Sequence, residues 1–469
     1  MLNEYLQVLK SEWLIIAIIF ILLFIKVGSK DWKNETLLYT INLLLLVNLI
    51  AGFFYNLPGS LFNGMYLSND LIFLQKNILN LGMYLVSLIA YPWLKQHKHL
   101  IEFYILILST LLGMFFMISS GNLLIFYLGL ELSTIPLAAL ANFDLEKRKS
   151  SEAAFKLIIS SAFSSALMLF GISLLYGVTG TLFFSEIAQV IHGGPMEIFV
   201  FILILGGFSF KMSVVPFHLW TADVYEGAPV VVTAYLSVIS KSAILFIFMT
   251  VMFTVFRNLE PQWYFMIFLL SVLTILIGNL FAIRQQNMKR FLAFSSIAQV
   301  GFVLLGLSGV SKMGMTSVIY FLLIYLFSNL AAFGVVALVS ATTGKENIDD
   351  FKGFYKTNPF LSWVLAIALF SLAGVPPTAG FFGKFFLIMS GAERGNYVWI
   401  IFAALNMTIS FYYYLRVVKA IFMDQNENPI QKIIVPALPK LAMAICLIGI
   451  ISTGFLSWIY DAIYNLCNF

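Results

Sequence analysis

The chain has 469 residues, 61% hydrophobic and 10% charged, with a mean hydropathy of +0.95 and a formal net charge of +5. A soluble domain carries about 25% charged residues, so this chain cannot cover a water-facing surface and most of its exterior must face lipid. Cys446 and Cys467 lack CxxC spacing, the four histidines are scattered, and no GxGxxG, Walker A or HExxH pattern occurs, which argues against a disulfide framework, an iron–sulfur cluster, or nucleotide, flavin or metal chemistry on this chain.

Apolar runs near the roughly 20 residues needed to cross a bilayer core recur along the whole length, punctuated by Pro, Gly and charge. They predict an all-α polytopic membrane protein of about fourteen spans, at 12–27, 36–56, 71–94, 100–118, 121–142, 152–177, 197–217, 228–256, 262–283, 289–309, 314–341, 359–390, 396–422 and 437–462. Glu4, Lys10 and Glu12 precede the first apolar run, which ends at Lys26 with no small-residue cleavage pattern, so it reads as a retained helix. Two spans are irregular. The seventh runs into Pro216 within KMSVVPFHLW, and the twelfth contains GVPPTAGFFGK. Proline removes a backbone donor and clashes with the preceding turn, and broken backbone at membrane depth survives only where protein or a watery cavity satisfies it. Both breaks sit beside a lysine.

With the N-terminus outside, seventeen of the 27 basic residues fall on the inner side, four (Lys10, Arg257, Lys312 and Arg394) on the outer side, and six (Lys76, Lys156, Lys211, Lys241, Lys384 and Arg416) inside spans. The inner group runs from Lys26, Lys30 and Lys33 through Lys147–Lys149 and Arg290 to Lys440. Such a split is what the positive-inside rule expects, and losing one helix would scramble it. Both termini then face the periplasm.

The informative residues are charges that hydrocarbon does not tolerate. Glu131, in YLGLELSTIP, sits ten residues into the fifth span; Lys156 lies near the start of the sixth; Lys211 precedes the seventh-span break; Lys241 is mid-span in the eighth; Lys384 follows the twelfth-span break. Each would cost about 2.5–3.5 kcal/mol at a lipid-facing helix centre, so they must pair, face an interior, or line water. Glu131 reads as the only acid deep in a span, with Lys211 as its natural partner. Lys76 and Lys156 are close enough to span ends for a snorkelling or helix-pinning role. His218 fits either a satisfied interfacial histidine or a way into a relay. Asp223 and Glu226 fit either solvated loop charges or a cytoplasmic proton funnel, and Tyr412, Tyr413 and Tyr414 read as an interfacial aromatic patch. Burial disfavours a charged ammonium, so an interior lysine can release its proton near neutral pH, and a nearby carboxylate opposes that release. A chain of such lysines with intervening water makes a hopping path that needs no covalent catalysis.

At these residues a family resemblance enters. FKMSVVPFHLWTADVYEGAPVVVTAYLSVISKSA (210–243) resembles the core signature of the antiporter-like subunits of respiratory complex I and of related cation/proton antiporters. The DVYEGAP form and NMKRFLAFSSIAQVGF (287–302) are most similar to subunit N of bacterial NADH–quinone oxidoreductases, and VPPTAGFFGKFFL (375–387) matches as well. The resemblance extends over the whole chain. The full set of early helices fits the bacterial form, and the lack of a long lateral helix after the fourteenth span argues against the largest antiporter-like subunit.

The resemblance implies a three-helix segment at 1–99, two inverted five-helix repeats at 100–256 and 257–424, broken at the seventh and twelfth helices, and a closing helix at 425–469. It implies a Glu131–Lys211 pair, a central Lys241 and an exit-side Lys384, with Lys156 modulating the pair; Lys156, His218 and Gln299 are the further proton-path candidates. Gln299 stands where many relatives carry histidine; glutamine holds water by hydrogen bonding but takes up no proton near neutral pH, so the step from Lys241 to Lys384 depends on water. The implied activity is proton pumping in a bacterial inner membrane, coupled to NADH oxidation and quinone reduction. The implied NADH, FMN, iron–sulfur clusters and quinone reside in partner subunits, and this chain holds no cofactor; its neighbours are other complex I subunits, further antiporter-like chains among them. The competing readings are a subunit of a sodium/proton antiporter, of a membrane-bound hydrogenase-type complex, or a membrane scaffold.

Overall fold

A computed structural model describes residues 2–28, 32–54, 56–393, 395 and 397–467. Lys30, Arg394 and the side chain of Glu4 lie outside the described residues. In chain order the main helices are α1 (Lys10–Val27), α2 (Asn34–Ala51), α3 (Asp70–Leu94), α4 (Leu100–Ile118), α5 (Leu123–Ala141), α6 (Arg148–Thr179), α7 (Pro195–Met212), α8 (Leu219–Gly227), α9 (Val230–Thr254), α10 (Glu260–Ile283), α11 (Met288–Leu307), α12 (Lys312–Thr343), α13 (Pro359–Ala373), α14 (Ala379–Ala392), α15 (Tyr397–Phe422), α16 (Ala437–Phe455) and α17 (Ser457–Leu466). Among the described residues the β-structure is one antiparallel hairpin, β1 (Gly59–Leu61) and β2 (Tyr66–Ser68), and three isolated bridges, of which only Tyr66–Ser120 involves the hairpin.

The chain is a helical, multi-pass membrane protein. Among the described residues twelve helices are long and apolar enough to cross a membrane. α1 carries Lys10, Glu12 and Lys26, and α13 and α14 are each too short alone. Burial sorts the helices into two populations. In α3, α9, α11 and α12 at least 83% of the most apolar window is buried, whereas in α2 and α15 only 33% is. A helix that is apolar all round belongs in an interior or in lipid; the first set forms the interior and the second faces outward. Lys241 lies on α9 and Gln299 on α11, both interior.

Both proline breaks take physical form. α7 ends at Ser213, which adopts a left-handed conformation (φ 65°), and the chain passes through Pro216 before resuming as α8. α13 stops at Ala373 and α14 starts at Ala379. The two halves cross so closely that a Cβ on Gly380 would sit 1.7 Å from the Ser371 carbonyl oxygen, so only glycine fits there. α9 carries a third irregularity, a π-helical turn at Leu236–Ser240 directly before Lys241. Such turns are rare and cluster at functional sites.

Two expectations are corrected. Tyr413 and Tyr414 are buried, and of the three tyrosines only Tyr412 is exposed; successive helical residues turn by about 100°, so a triplet cannot share one interfacial face. Lys76 does not snorkel either, because it is 0% exposed and paired with Glu12, itself 1% exposed in the first turn of α1.

Candidate functional site

α5 carries Glu131 and Thr134, and it packs on α4 where a Cβ on Gly113 would meet the Ser133 backbone nitrogen at 2.5 Å. Small residues that let transmembrane backbones touch fix such crossings. The Glu131 carboxylate is partly buried, its Oε1 has no hydrogen-bond partner among the described residues, and Tyr127 adjoins it one turn earlier. Its charge acts on Lys211, yet the two do not meet. Lys211 Nζ donates instead to Ser161 Oγ on α6 at 2.6 Å and to Thr134 Oγ1 at 3.2 Å. Thr134 follows Glu131 by three residues and so lies on the same helix face. Glu131 and Lys211 thus belong to one constellation, with hydroxyls in direct contact with the ammonium.

Lys211, Thr134 and Ser161 border a cavity of about 30 Å³ that also reaches Trp220, Leu236 and Ser240. One water needs about 10–15 Å³ of such space, so the cavity has room for water. Ser240 on its wall is the chain neighbour of Lys241, which does not itself line the cavity.

Lys241 is 2% exposed. Its Nζ donates to Ser296 Oγ at 2.7 Å and lies 5.3 Å from the centre of the Tyr225 ring. Around it stand Tyr325, bonded to Ser237 at 3.1 Å, and Asn329, which donates to Ser237 at 2.8 Å. The Tyr225 hydroxyl faces Ser237 and Ser296 and has no hydrogen-bond partner among the described residues.

Ser296 donates in turn to the Ala293 carbonyl at 2.8 Å, and a second polar cluster starts at its neighbour Ser295 on α11. Ser295 Oγ and the Tyr414 hydroxyl are hydrogen-bonded. Gln299 Nε2 donates to the Tyr414 oxygen at 3.2 Å and to the Leu372 carbonyl at 2.9 Å. That carbonyl also accepts from Lys384 Nζ at 2.8 Å, with the Ala373 carbonyl at 3.1 Å. Leu372 and Ala373 close α13, where helix carbonyls lack intrahelical partners and carry the negative end of the dipole. Lys384, 1% exposed, covers the broken end and lies 5.0 Å from the centre of the Phe302 ring. Gln299 therefore shares an acceptor with Lys384, and its own Oε1 has no partner among the described residues.

The remaining candidates lie elsewhere. Lys156 has a 39% exposed side chain and pairs with Glu152 at 2.7 Å and Asp223 at 2.8 Å. Arg290 joins Asp223 (2.7 Å) and Glu226 (3.2 Å) to that cluster, so the two acids are paired helix residues of α8. His218 is buried where α8 begins, with Nδ1 unpartnered among the described residues. It touches none of the deep lysines. Among those residues no group of three His, Cys, Asp or Glu side chains could hold a metal.

Sequence reasoning missed Tyr414, whose hydroxyl links Ser295 to Gln299. A signal existed: Arg416 on the same helix donates to the carbonyls of Ile283 and Gln285, so this stretch of α15 docks on α10 rather than on lipid.

Comparison with known proteins gives a consistent result. Residues 120–410 match the family described as NADH:quinone oxidoreductase/Mrp antiporter, transmembrane. NADH-quinone oxidoreductase subunit N of Azobacteroides pseudotrichonymphae is 47% identical, covering 98% of this chain and 97% of the relative. The subunit N of Phocaeicola vulgatus is 44% identical over 94% and 93% of the two chains. A chain of respiratory complex I from Thermus thermophilus with bound aureothin superposes with a TM-score of 0.82 at 27% identity, over 97% of this chain and 99% of that one.

Proposed function

The chain belongs to the NADH-quinone oxidoreductase subunit N family, within the NADH:quinone oxidoreductase/Mrp antiporter membrane proteins, and on that premise we propose that it translocates protons through a relay of Glu131, Lys211, Lys241 and Lys384. It does so as one membrane subunit of complex I in a bacterial inner membrane. NADH, FMN, iron–sulfur clusters and quinone do their chemistry in partner subunits, and this chain carries no redox centre. Fourteen crossings put both termini in the periplasm. Residues 1–99 form an accessory segment, 100–256 and 257–424 two inverted repeats, and 425–469 the closing helix.

One observation carries this reading. Three deep lysines donate their hydrogen bonds to neutral groups: hydroxyls beside a cavity for Lys211, the Ser296 hydroxyl for Lys241, and for Lys384 a carbonyl that a hydroxyl and an amide connect back to Ser295, the neighbour of Ser296. Hydroxyls both accept and donate, so the contacts around Lys211 and Lys241 serve an ammonium and an amine alike. Repulsion between neighbouring ammoniums in a low-dielectric interior favours loss of a proton from one when another gains one. Glu131 sets the state of the first site, since its negative charge favours the Lys211 ammonium, and neutralising it frees that proton toward Lys241. The unpartnered Gln299 Oε1 offers a water the acceptor it needs on the way to Lys384.

Lys211→Ala or Glu131→Ala is expected to reduce NADH-driven proton pumping strongly in vesicles holding the reconstituted complex, with the complex still assembled. Undiminished pumping in both variants would remove the relay.

A further inference from the structure

Away from the relay, α10 and α15 lie on the outside of the bundle, and less than half of each apolar window is buried. Their C-terminal ends meet, and in the proposed orientation both face the inner side. α10 ends at Ile283, and Arg416 of α15 closes it by donating to the carbonyls of Ile283 and Gln285. Carbonyls at a helix end carry about half a negative charge, so they offset the guanidinium only in part. Between those two acceptors in the chain stands Arg284, which is exposed. Lys419, three residues beyond Arg416, is exposed too, and its ion pair with Asp424 is long, at 3.7 Å. Three cations thus carry more charge at this corner than Asp424 offsets.

The same face of α15 is hollow. A cavity of about 500 Å³ opens along it, lined by Tyr412, Leu415, Arg416, Lys419, Phe422 and Met423 among others. These residues recur every three or four positions and so form one stripe. The stripe has a direction. Arg416 and Lys419 lie toward the inner end, and Leu415 and Tyr412, both exposed, run from there into the membrane. Phe422 marks the level of the cations, because its ring packs 4.8 Å from that of Tyr355 and 5.1 Å from that of Trp363, both exposed. Tyr and Trp collect where headgroups meet hydrocarbon. Cations at headgroup level above an apolar trough match a phospholipid in both its parts. A soluble anion would leave the trough unused, and a protein neighbour would have to bury the cations against acids at a desolvation cost. Basic pockets on the cytoplasmic side of membrane helices favour anionic headgroups.

We propose that Arg284 and Lys419, with the charge of Arg416 behind them, hold the phosphate of an anionic phospholipid of the inner leaflet, one acyl chain of which lies along Leu415 and Tyr412. A zwitterionic headgroup brings its own cation to the site and binds less well. Because α10 and α15 each supply a cation, the lipid clasps the two helices at the end where Arg416 joins them. One turn deeper they are already joined by Tyr413, whose hydroxyl donates to Asn279 Oδ1 at 3.0 Å.

The lipid site needs the proposed orientation only to name the leaflet. It does not depend on the relay, and its test does not read pumping. The intact complex, stripped of native lipid by detergent exchange, is placed in nanodiscs of phosphatidylethanolamine with or without phosphatidylglycerol, and each sample is imaged by electron cryomicroscopy. With phosphatidylglycerol, a phosphate is expected within hydrogen-bond reach of Lys419 and Arg284, at no more than half that occupancy in its absence. Arg284→Gln/Lys419→Gln spares the Arg416 cap, so the variant is expected to assemble with α10 and α15 still joined and to lose the headgroup. A neighbouring subunit seated in the cavity, a cavity without lipid, equal occupancy in the two nanodiscs, or a headgroup retained by the double variant overturns the proposal. Should the double variant not assemble, Lys419→Gln alone is held to the same readout, with at least a twofold loss of occupancy expected and an unchanged headgroup overturning the site.

Discussion

The two broken helices solve one problem in opposite ways. At the first break the lysine stands before the interruption, on the last turn of α7, and reaches away to hydroxyls on α5 and α6. The exposed helix end is closed by others: Trp220 Nε1 donates to the Phe210 carbonyl at 3.0 Å, and Thr221 Oγ1 donates to Ser213 Oγ at 2.6 Å. At the second break the lysine stands after the interruption, on α14, and folds back so that its own ammonium closes the end of α13. Carbonyls only accept, whereas hydroxyls accept and donate. Lys211 can therefore change protonation state with its partners reorienting around it, while Lys384 is part of the scaffold it works in. The first site is built to switch and the second to hold.

Removing each lysine tests that difference most severely. Lys384→Met leaves the Ala373 carbonyl without its donor and the Leu372 carbonyl with Gln299 alone. A buried acceptor left unpaired costs about 1–3 kcal/mol, so this variant is expected to lose pumping and also to lower the yield and thermal midpoint of the assembled complex. Lys211→Met strands only two hydroxyls, which find each other, backbone or water. It is expected to lose pumping with assembly near wild type. Equal thermal midpoints for the two variants would erase the distinction between the breaks.

How much of this could be read from sequence follows from what each residue contrasts with. Lys211, Lys241 and Lys384 were legible because a charge inside an apolar run violates the solvent it is assigned to, and both breaks were legible because proline forbids the backbone that surrounds it. Glu12 was not, since two residues after Lys10 it reads as a water-facing flank; only the fold brings Tyr66 and Lys76 to it. Tyr414 was hidden in a run of three like residues, where composition carries no facing information. The absence of direct contact between Glu131 and Lys211 was likewise invisible, because residue spacing predicts neighbours, and Thr134 and Ser161 are the nearer ones.

Tyr414 supplies a prediction of intermediate size, confined to the second half of the relay. Tyr414→Phe keeps the ring packed against Tyr413 and Phe291 but removes the hydroxyl that joins Ser295 to Gln299. Pumping is expected to fall several-fold with assembly intact. Gln299→His in that background is expected to recover part of the loss, because an imidazole takes up and passes a proton near neutral pH where an amide cannot. Proton uptake per NADH in vesicles measures both steps. No loss in the single variant would mean that protons reach Lys384 by a route that bypasses Tyr414.

The smallest expected effect comes from the first break. Trp220→Phe keeps the stack on Phe210, whose rings are 5.3 Å apart, and removes only the indole N–H that caps the Phe210 carbonyl. The loss is well below the roughly 1–3 kcal/mol of an unpaired buried acceptor, because the Ser213 amide still donates to the same carbonyl at 3.0 Å and Trp220 borders the cavity beside Lys211, where a water can replace the indole donor. Lys211 keeps Thr134 and Ser161, so pumping should remain within about twofold of wild type, less than the tenfold that 1.36 kcal/mol on the barrier would cause. The cap and the proton carrier are separate side chains at this break and a single side chain at the other. If Trp220→Phe stopped pumping as completely as Lys384→Met, closure of the helix end would itself be the switch in both halves, and the hydroxyls around Lys211 would lose their special standing.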